Sequence, residues 1–188
     1  MKRTEQSLIA ELLEAATAAG ADGADAMLAR GEGTSIDLRL GKVEASERSE
    51  DFDAGLRVFI GQRNASISTS QLDSANIKIL AERAVAMARI APEDPFARLA
   101  QADELATSIP AVEIYDDYVP SVDTLTEMAR AAEEAALSHA GITNSEGGSA
   151  SHGVANILIA TSNGFAAEYK RSSHGNSAVV IAEQDGHM

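Results

Sequence analysis

Residues 34–48 read Thr34-Ser35-Ile36-Asp37-Leu38-Arg39-Leu40-Gly41-Lys42-Val43-Glu44-Ala45-Ser46-Glu47-Arg48. Apolar and polar side chains alternate strictly from Thr34 to Leu40, and a period of two places Ile36, Leu38 and Leu40 on one buried face of a strand. Gly41-Lys42 is a two-residue turn signal, so residues 43–48 read as the returning strand of a hairpin. A second hairpin follows: Leu56, Val58 and Ile60 alternate, Gly61-Gln62-Arg63-Asn64 turns, and residues 65–69 return. A further strand is expected near 25–29. Strands joined by tight turns belong to antiparallel sheet.

Helical patterns flank this block. Leu8, Ile9, Leu12, Leu13 and Ala16 share one helical face, and Gly20 ends that helix. A second helix starts at an N-cap, Asp73 or Ser74, buries Ile77, Leu80, Ala81, Ala84, Val85 and Ala88, and stops before Pro92. Residues 92–120 hold all four prolines and read as a strap or linker. Ser121 caps a third helix with Leu125, Met128, Ala129, Ala132 and Ala136 on its face, and Gly141 stops it. Residues 154–160 are apolar, Asn163-Gly164 is a strong hairpin signal, Phe165, Ala167 and Tyr169 alternate, and residues 178–182 form another strand. The order is α, β(n), α, strap, α, β(n), which predicts an α+β fold of antiparallel hairpins packed with helices. The expected organisation is 1–91, a strap at 92–120, and 121–188. A helix followed by hairpins occurs twice, which suggests an internal structural duplication.

Composition narrows the function. The 188 residues include 15 Lys+Arg and 29 Asp+Glu, a formal charge of −14. Such a charge repels phosphate and disfavours direct nucleic-acid binding. The absence of Cys excludes a disulfide framework, a thiolate metal site and a cysteine nucleophile. No apolar run reaches the length of a membrane span, and the first residues lack the apolar core of a signal peptide, so a cytoplasmic location is expected.

Few residues advertise chemistry. His139, His152, His174 and His187 stand in no His-Glu-x-x-His arrangement. His139 ends a helix, where a cation suits the last carbonyls. Glu183, Asp185 and His187 would share one strand face, a set that suits a divalent ion or, more simply, a solvated strand end. Ser172-Ser173-His174 lacks a nucleophile elbow and reads as a polar loop. Gly31-x-Gly33 runs into a strand pattern, outside the context of a phosphate loop. Thr143-Asn144-Ser145-Glu146-Gly147-Gly148-Ser149 is richer. It joins a helix to a strand, and its glycines would let another backbone come close. Asn144, Ser145, Glu146, Gly147 and Gly148 are therefore the candidate peptide-contact loop, and no catalytic or metal-binding residue is assigned.

Two stretches carry a resemblance. One is Gly55-Leu56-Arg57-Val58-Phe59-Ile60-Gly61-Gln62-Arg63-Asn64-Ala65-Ser66-Ile67-Ser68-Thr69, followed by Ala84-Val85-Ala86-Met87-Ala88-Arg89 and Glu93-Asp94-Pro95. The other is Ile142-Thr143-Asn144-Ser145-Glu146-Gly147-Gly148-Ser149, then Ser162-Asn163-Gly164-Phe165 and Val180-Ile181-Ala182-Glu183-Gln184-Asp185-Gly186. In this order the chain resembles the N-terminal portion of the TldD/PmbA family, whose PmbA branch is also called TldE. The Asn144–Gly148 segment with Ile181-Ala182-Glu183 is more similar to the PmbA branch. The family was named for modulation of DNA gyrase and is regarded as metalloproteases.

The resemblance implies a subunit of a TldD–TldE-type complex that processes unstructured peptides, with this chain ending before the family's C-terminal domain. It places a divalent metal, zinc, in a TldD-like partner that carries His-Glu-x-x-x-His, and no cofactor in this chain. The expected partners are that subunit or a second copy, and an unstructured peptide. The chain alone is expected to be inactive. The competing expectation is an acidic binding module that contacts DNA gyrase or a toxin–antitoxin component.

Overall fold

The computed structural model describes residues 4–183. Its elements run α1 (Glu5–Ala18), β1 (Gly23–Arg39), β2 (Lys42–Ile60), β3 (Arg63–Thr69), α2 (Ser74–Ile90), α3 (Val122–Leu137), β4 (Ile142–Thr161) and β5 (Ala166–Ala182). The five strands form one sheet in the order β3-β2-β1-β4-β5. The start of β1 meets the end of β4, where Ser162 N–H donates to the Ala24 carbonyl. The end of β1 meets the start of β4, where Arg39 Nε donates to the Ser145 carbonyl at 2.9 Å. These two strands therefore run antiparallel. The α+β class and the element order are as the sequence implies.

The strands differ from expectation in length. The segments at 25–29 and 34–40 are one strand of 17 residues, and those at 43–48 and 56–60 are one strand of 19. The C-terminal block likewise holds two long strands where three short ones were expected. The middle of β2 is exposed from Ser46 to Asp51, and no alternation carries the strand on past Arg48. Ladder hydrogen bonds hold such a segment without help from side-chain burial. The two helix-plus-hairpin blocks also do not make two sheets; β1 and β4 join them in one.

The long strands pass through two compact units. The first takes the chain to Arg30, then Asp51–Val112 and Asn156–Tyr169; the second takes Gly31–Glu50, Glu113–Ala155 and the chain from Lys170 onward. The units thus interleave along the sequence rather than following one another.

In the first unit, α1 and α2 pack together on one face of the sheet. Ile9, Leu12, Leu13 and Ala16 of α1 and the six-residue stripe of α2 meet Ala24, Ala26, Leu28, Ala54, Leu56, Val58, Leu158 and Ala160. Every second strand residue contributes, which is the pleat at work. The helices begin where a side chain satisfies free amides: Thr4 accepts from Ser7 N, and Asp73 accepts from Ala75 N and Asn76 N. In the second unit, Ser121 caps α3, and Leu125 and Ala129 meet Ile36, Leu38 and Ala150 in a smaller core. Residues 92–120 contain no helix or strand.

The first hairpin turn keeps two residues but lies one residue earlier than the sequence suggested, and the second is shorter, two residues where four were expected. β1 and β2 are joined by Leu40 and Gly41, at φ 48° and 73°, and β2 and β3 by Gly61 and Gln62, with Gly61 at φ 56°. Turns with positive φ match the twist of paired strands. Leu40 is consequently no member of the core face: it sits in the turn, 61% exposed, in a left-handed conformation that its Cβ disfavours. Leu40→Asn is expected to raise stability by about 0.5–1 kcal/mol, read from the urea midpoint, because Asn tolerates that conformation.

Candidate functional site

The segment from Asn144 to Gly148 is the opening of strand β4, not a loop. Asn144 and Glu146 are exposed, whereas Ser145 and Gly148 are buried. What buries them is Glu133, on the inward face of α3 and only 1% exposed. Its Oε1 accepts from Leu40 N at 2.9 Å and from Ser145 Oγ at 2.5 Å, and its Oε2 accepts from Gly41 N at 2.9 Å. Ser145 Oγ in turn accepts from Gly147 N at 3.0 Å. Arg130 Nη1 donates to the Gly41 carbonyl at 3.0 Å.

One carboxylate therefore ties α3 to the β1–β2 turn and to β4. Burial alone would raise its pKa, but the bonds from Ser145, Gly41 and Leu40 and the charge of Arg130 outweigh that and hold it below the usual carboxylate range. The glycines serve the same contact. A Cβ on Gly148 would stand 2.5 Å from the Ala129 carbonyl oxygen, and one on Gly147, at φ 133°, would stand 2.8 Å from the Leu38 carbonyl oxygen. Close backbone approach is what the glycines provide, and the backbones that approach are β1 and α3. Glu133 was not singled out from the sequence. Its signal was its place four residues after Ala129 and eight after Leu125, an acid in an apolar helical row.

The other sequence candidates scatter. His139 is exposed beyond the end of α3. Gly31 and Gly33 lie within β1. Glu183 N–H donates to the Gly141 carbonyl at 3.2 Å, while Asp185 and His187 lie outside the described residues. Ser172 and Ser173 lie in β5 rather than a loop. Ser172 holds residues of the strap: its N–H donates to the Ile114 carbonyl at 3.0 Å, and its Oγ accepts from Asp116 N at 2.8 Å. His174 contacts the rings of His152 and Tyr118. Among the described residues no group of three or more His, Cys, Asp or Glu is arranged to hold a metal ion.

A groove of about 680 Å³ lies in the first unit. Met27, Leu99, Leu105, Ile159 and Phe165 give it apolar walls, and Asp25, Arg57 and Arg98 give it charge. Asp25 and Met27 alternate with the core residues Ala24, Ala26 and Leu28, so the groove uses the sheet face that α1 and α2 leave open. Arg57 Nη2 pairs with Asp25 at 2.6 Å. The strap supplies Leu99, Ala100 and Leu105, and Asn163 Nδ2 donates to the Ala100 carbonyl at 2.8 Å. Two bonds from Arg98 hold the Glu104 carboxyl down at about 2.

Ser66, Ile67 and Ser68 of β3 form one border of this groove. β3 ends the strand order, and the pair Ile60↔Arg63 closes its hairpin. Bonded pairs then alternate from that closure, so Asn64, Ser66 and Ser68 turn their N–H and C=O groups away from β2. Among the described residues no loop backbone bonds to these groups.

Known proteins resemble this chain in sequence and fold. The PmbA/TldA metallopeptidase domain 1 matches residues 24–88, and the PmbA/TldA metallopeptidase central domain matches residues 115–188. The chain is 33% identical over 168 residues to metalloprotease PmbA of Escherichia coli O157:H7, covering 89% of this chain and 37% of that one. It is 34% identical over 185 residues to the metalloprotease PmbA homolog of Haemophilus influenzae, covering 96% and 41%. It therefore spans about two fifths of the length of these curated relatives. A solved structure from Bacteroides thetaiotaomicron, named for modulation of DNA gyrase, superposes with a TM-score of 0.86 at 24% identity, over 98% of this chain and 43% of that one. TldE from Thermococcus kodakarensis superposes with a TM-score of 0.72 at 13% identity, over 95% and 40%. At these identities the two structures show a common fold.

Gly148→Ala is expected to cost about 1–3 kcal/mol, since α3 must move off β4 to admit the methyl group. Glu133→Gln is expected to cost about 2–3 kcal/mol at pH 7, because a charged acceptor of three bonds is lost. The native carboxyl has a depressed pKa, so its contribution is complete above the unfolded value of about 4.3 and fades as pH falls through the folded one. Urea unfolding at pH 7 and in acid should show the gap between native and Glu133→Gln closing in acid.

Proposed function

Because the chain belongs to the PmbA/TldD family, we propose that it is the part of a PmbA-like subunit that receives an extended peptide, while a TldD-like partner supplies the metal and the cleavage. The observation that carries this is the outward-facing backbone of β3 beside an apolar groove. An extended peptide adds to a sheet edge by main-chain hydrogen bonds, which need no particular sequence, and its alternate side chains enter neighbouring pockets. A folded protein has no free strand to offer. The edge therefore supports selection of unstructured peptides.

The residues of this chain do not fit a catalytic metal as the family uses one. No described group of three ligands exists, and Glu133, the buried carboxylate, is consumed by its bonds to Leu40, Gly41 and Ser145. No cleavage step is assigned to it. The edge idea also narrows on one side: near its middle, β5 is occupied by the strap through Ile114 and Asp116. The 144–148 segment enters the proposal only through its exposed members, Asn144 and Glu146, as a secondary contact.

A labelled flexible peptide should bind the chain by fluorescence anisotropy. Ser66→Pro should weaken that binding about fivefold or more, the scale of one lost backbone bond, while leaving the circular dichroism spectrum intact. Proline is tolerated on an edge strand where the N–H faces solvent. Unchanged binding by Ser66→Pro would move the peptide site elsewhere. In a native lysate, the chain as bait should retain a protein carrying His-Glu-x-x-x-His. Capture of gyrase subunits alone would favour the acidic binding module.

A further inference from the structure

His152 lies in β4 within the second unit and is only 7% exposed. Its Nε2 is the buried side-chain polar atom left without a hydrogen-bond partner among the described residues. A native fold rarely leaves such an atom unmet, and where it does a ligand or water commonly meets it. The ring of His174, from β5, stands 4.7 Å away between centroids and is exposed to solvent. Tyr118 of the strap stacks on His174 at 6.4 Å.

We propose that His152 and His174 form a two-imidazole site for a divalent transition-metal ion of the zinc, nickel and copper class. Imidazole nitrogen suits these ions. The spacing suits them too. With a metal–nitrogen bond of about 2.1 Å an imidazole centroid stands about 3.2 Å from the ion, so centroids 4.7 Å apart subtend about 95°. That angle lies within a small ring rotation of tetrahedral.

Ligation requires a neutral imidazole. The His152 Nε2, which meets no hydrogen-bond partner among the described residues, offers its lone pair to an ion. The negative charge of Asp116 is felt at His152 and favours a cation there. His174 is open to solvent, which supplies the waters that complete the coordination. The site is independent of the β3 edge and of any partner's metal.

The test is calorimetric titration of the full chain with zinc chloride at pH 7.5. One ion per chain is expected, with affinity lost at least about tenfold in His174→Ala and in His152→Ala, the scale at which even outer-shell partners of a ligand count. His174 is exposed, so its removal leaves the core untouched. A His139→Ala/His187→Ala double variant should bind as the native chain does. Nitrogen-15 spectra of the imidazoles should show the His152 and His174 ring signals moving on zinc addition. Binding that survives His174→Ala, or disappears in the double variant, overturns the proposal. So does the absence of zinc binding, which would leave the His152 Nε2 to water.

Discussion

The ladder between β1 and β4 is what makes one sheet of two hairpin blocks. β1 is third of five in the strand order, so both of its edges are bonded, and every other strand is placed by reference to it. Its two ends are pinned by different means. At the start, Ala24 meets Ser162 through backbone and hydroxyl. At the finish, Arg39 meets the Ser145 carbonyl, and the turn beyond it is held by Glu133. A sheet whose strands β2 and β5 carry long exposed runs needs such pinning, because register is weakly specified where neither face is buried.

The two units solve the packing problem differently. The first buries an ordinary apolar layer beneath two helices. The second has one helix and a small core of five residues, and adds a buried carboxylate that bonds three partners. A carboxylate so placed is directional where apolar contact is not. It sets α3 at one height along β4, and the glycines at 147 and 148 let it come close. Segment 143–149 thus owes its composition to internal packing as well as to anything it meets outside.

The sequence announced the elements whose side chains alternate. Ile36 and Leu38, Leu56 and Val58, and the full stripe of α2 lie buried where periodicity placed them. It was silent where backbone alone does the work, as in β2 from Ser49 to Asp51 and in the opening of β4. A glycine-rich stretch looks the same whether a ligand or a neighbouring helix approaches it. Glu133 and the groove were hidden for a related reason: each depends on residues far apart in sequence, Glu133 on Leu40 and the groove on Met27, Leu99 and Ile159. The pairing of His152 with His174 needed the β4–β5 register.

The strap changes the arithmetic of self-association. A sheet with two bare edges has a valence of two, and copies of it can add without limit, as fibres do. Here Ile114 and Asp116 bond to β5 at Ser172, near its middle, and among the described residues no loop backbone bonds to the outward groups of β3. A chain with one reactive edge has a valence of one. It can pair once, with a peptide or with another copy, and the pair then has nothing left to extend. The strap's bonds at Ser172 move the sheet toward that limit, because a strand adding along β5 would have to displace them.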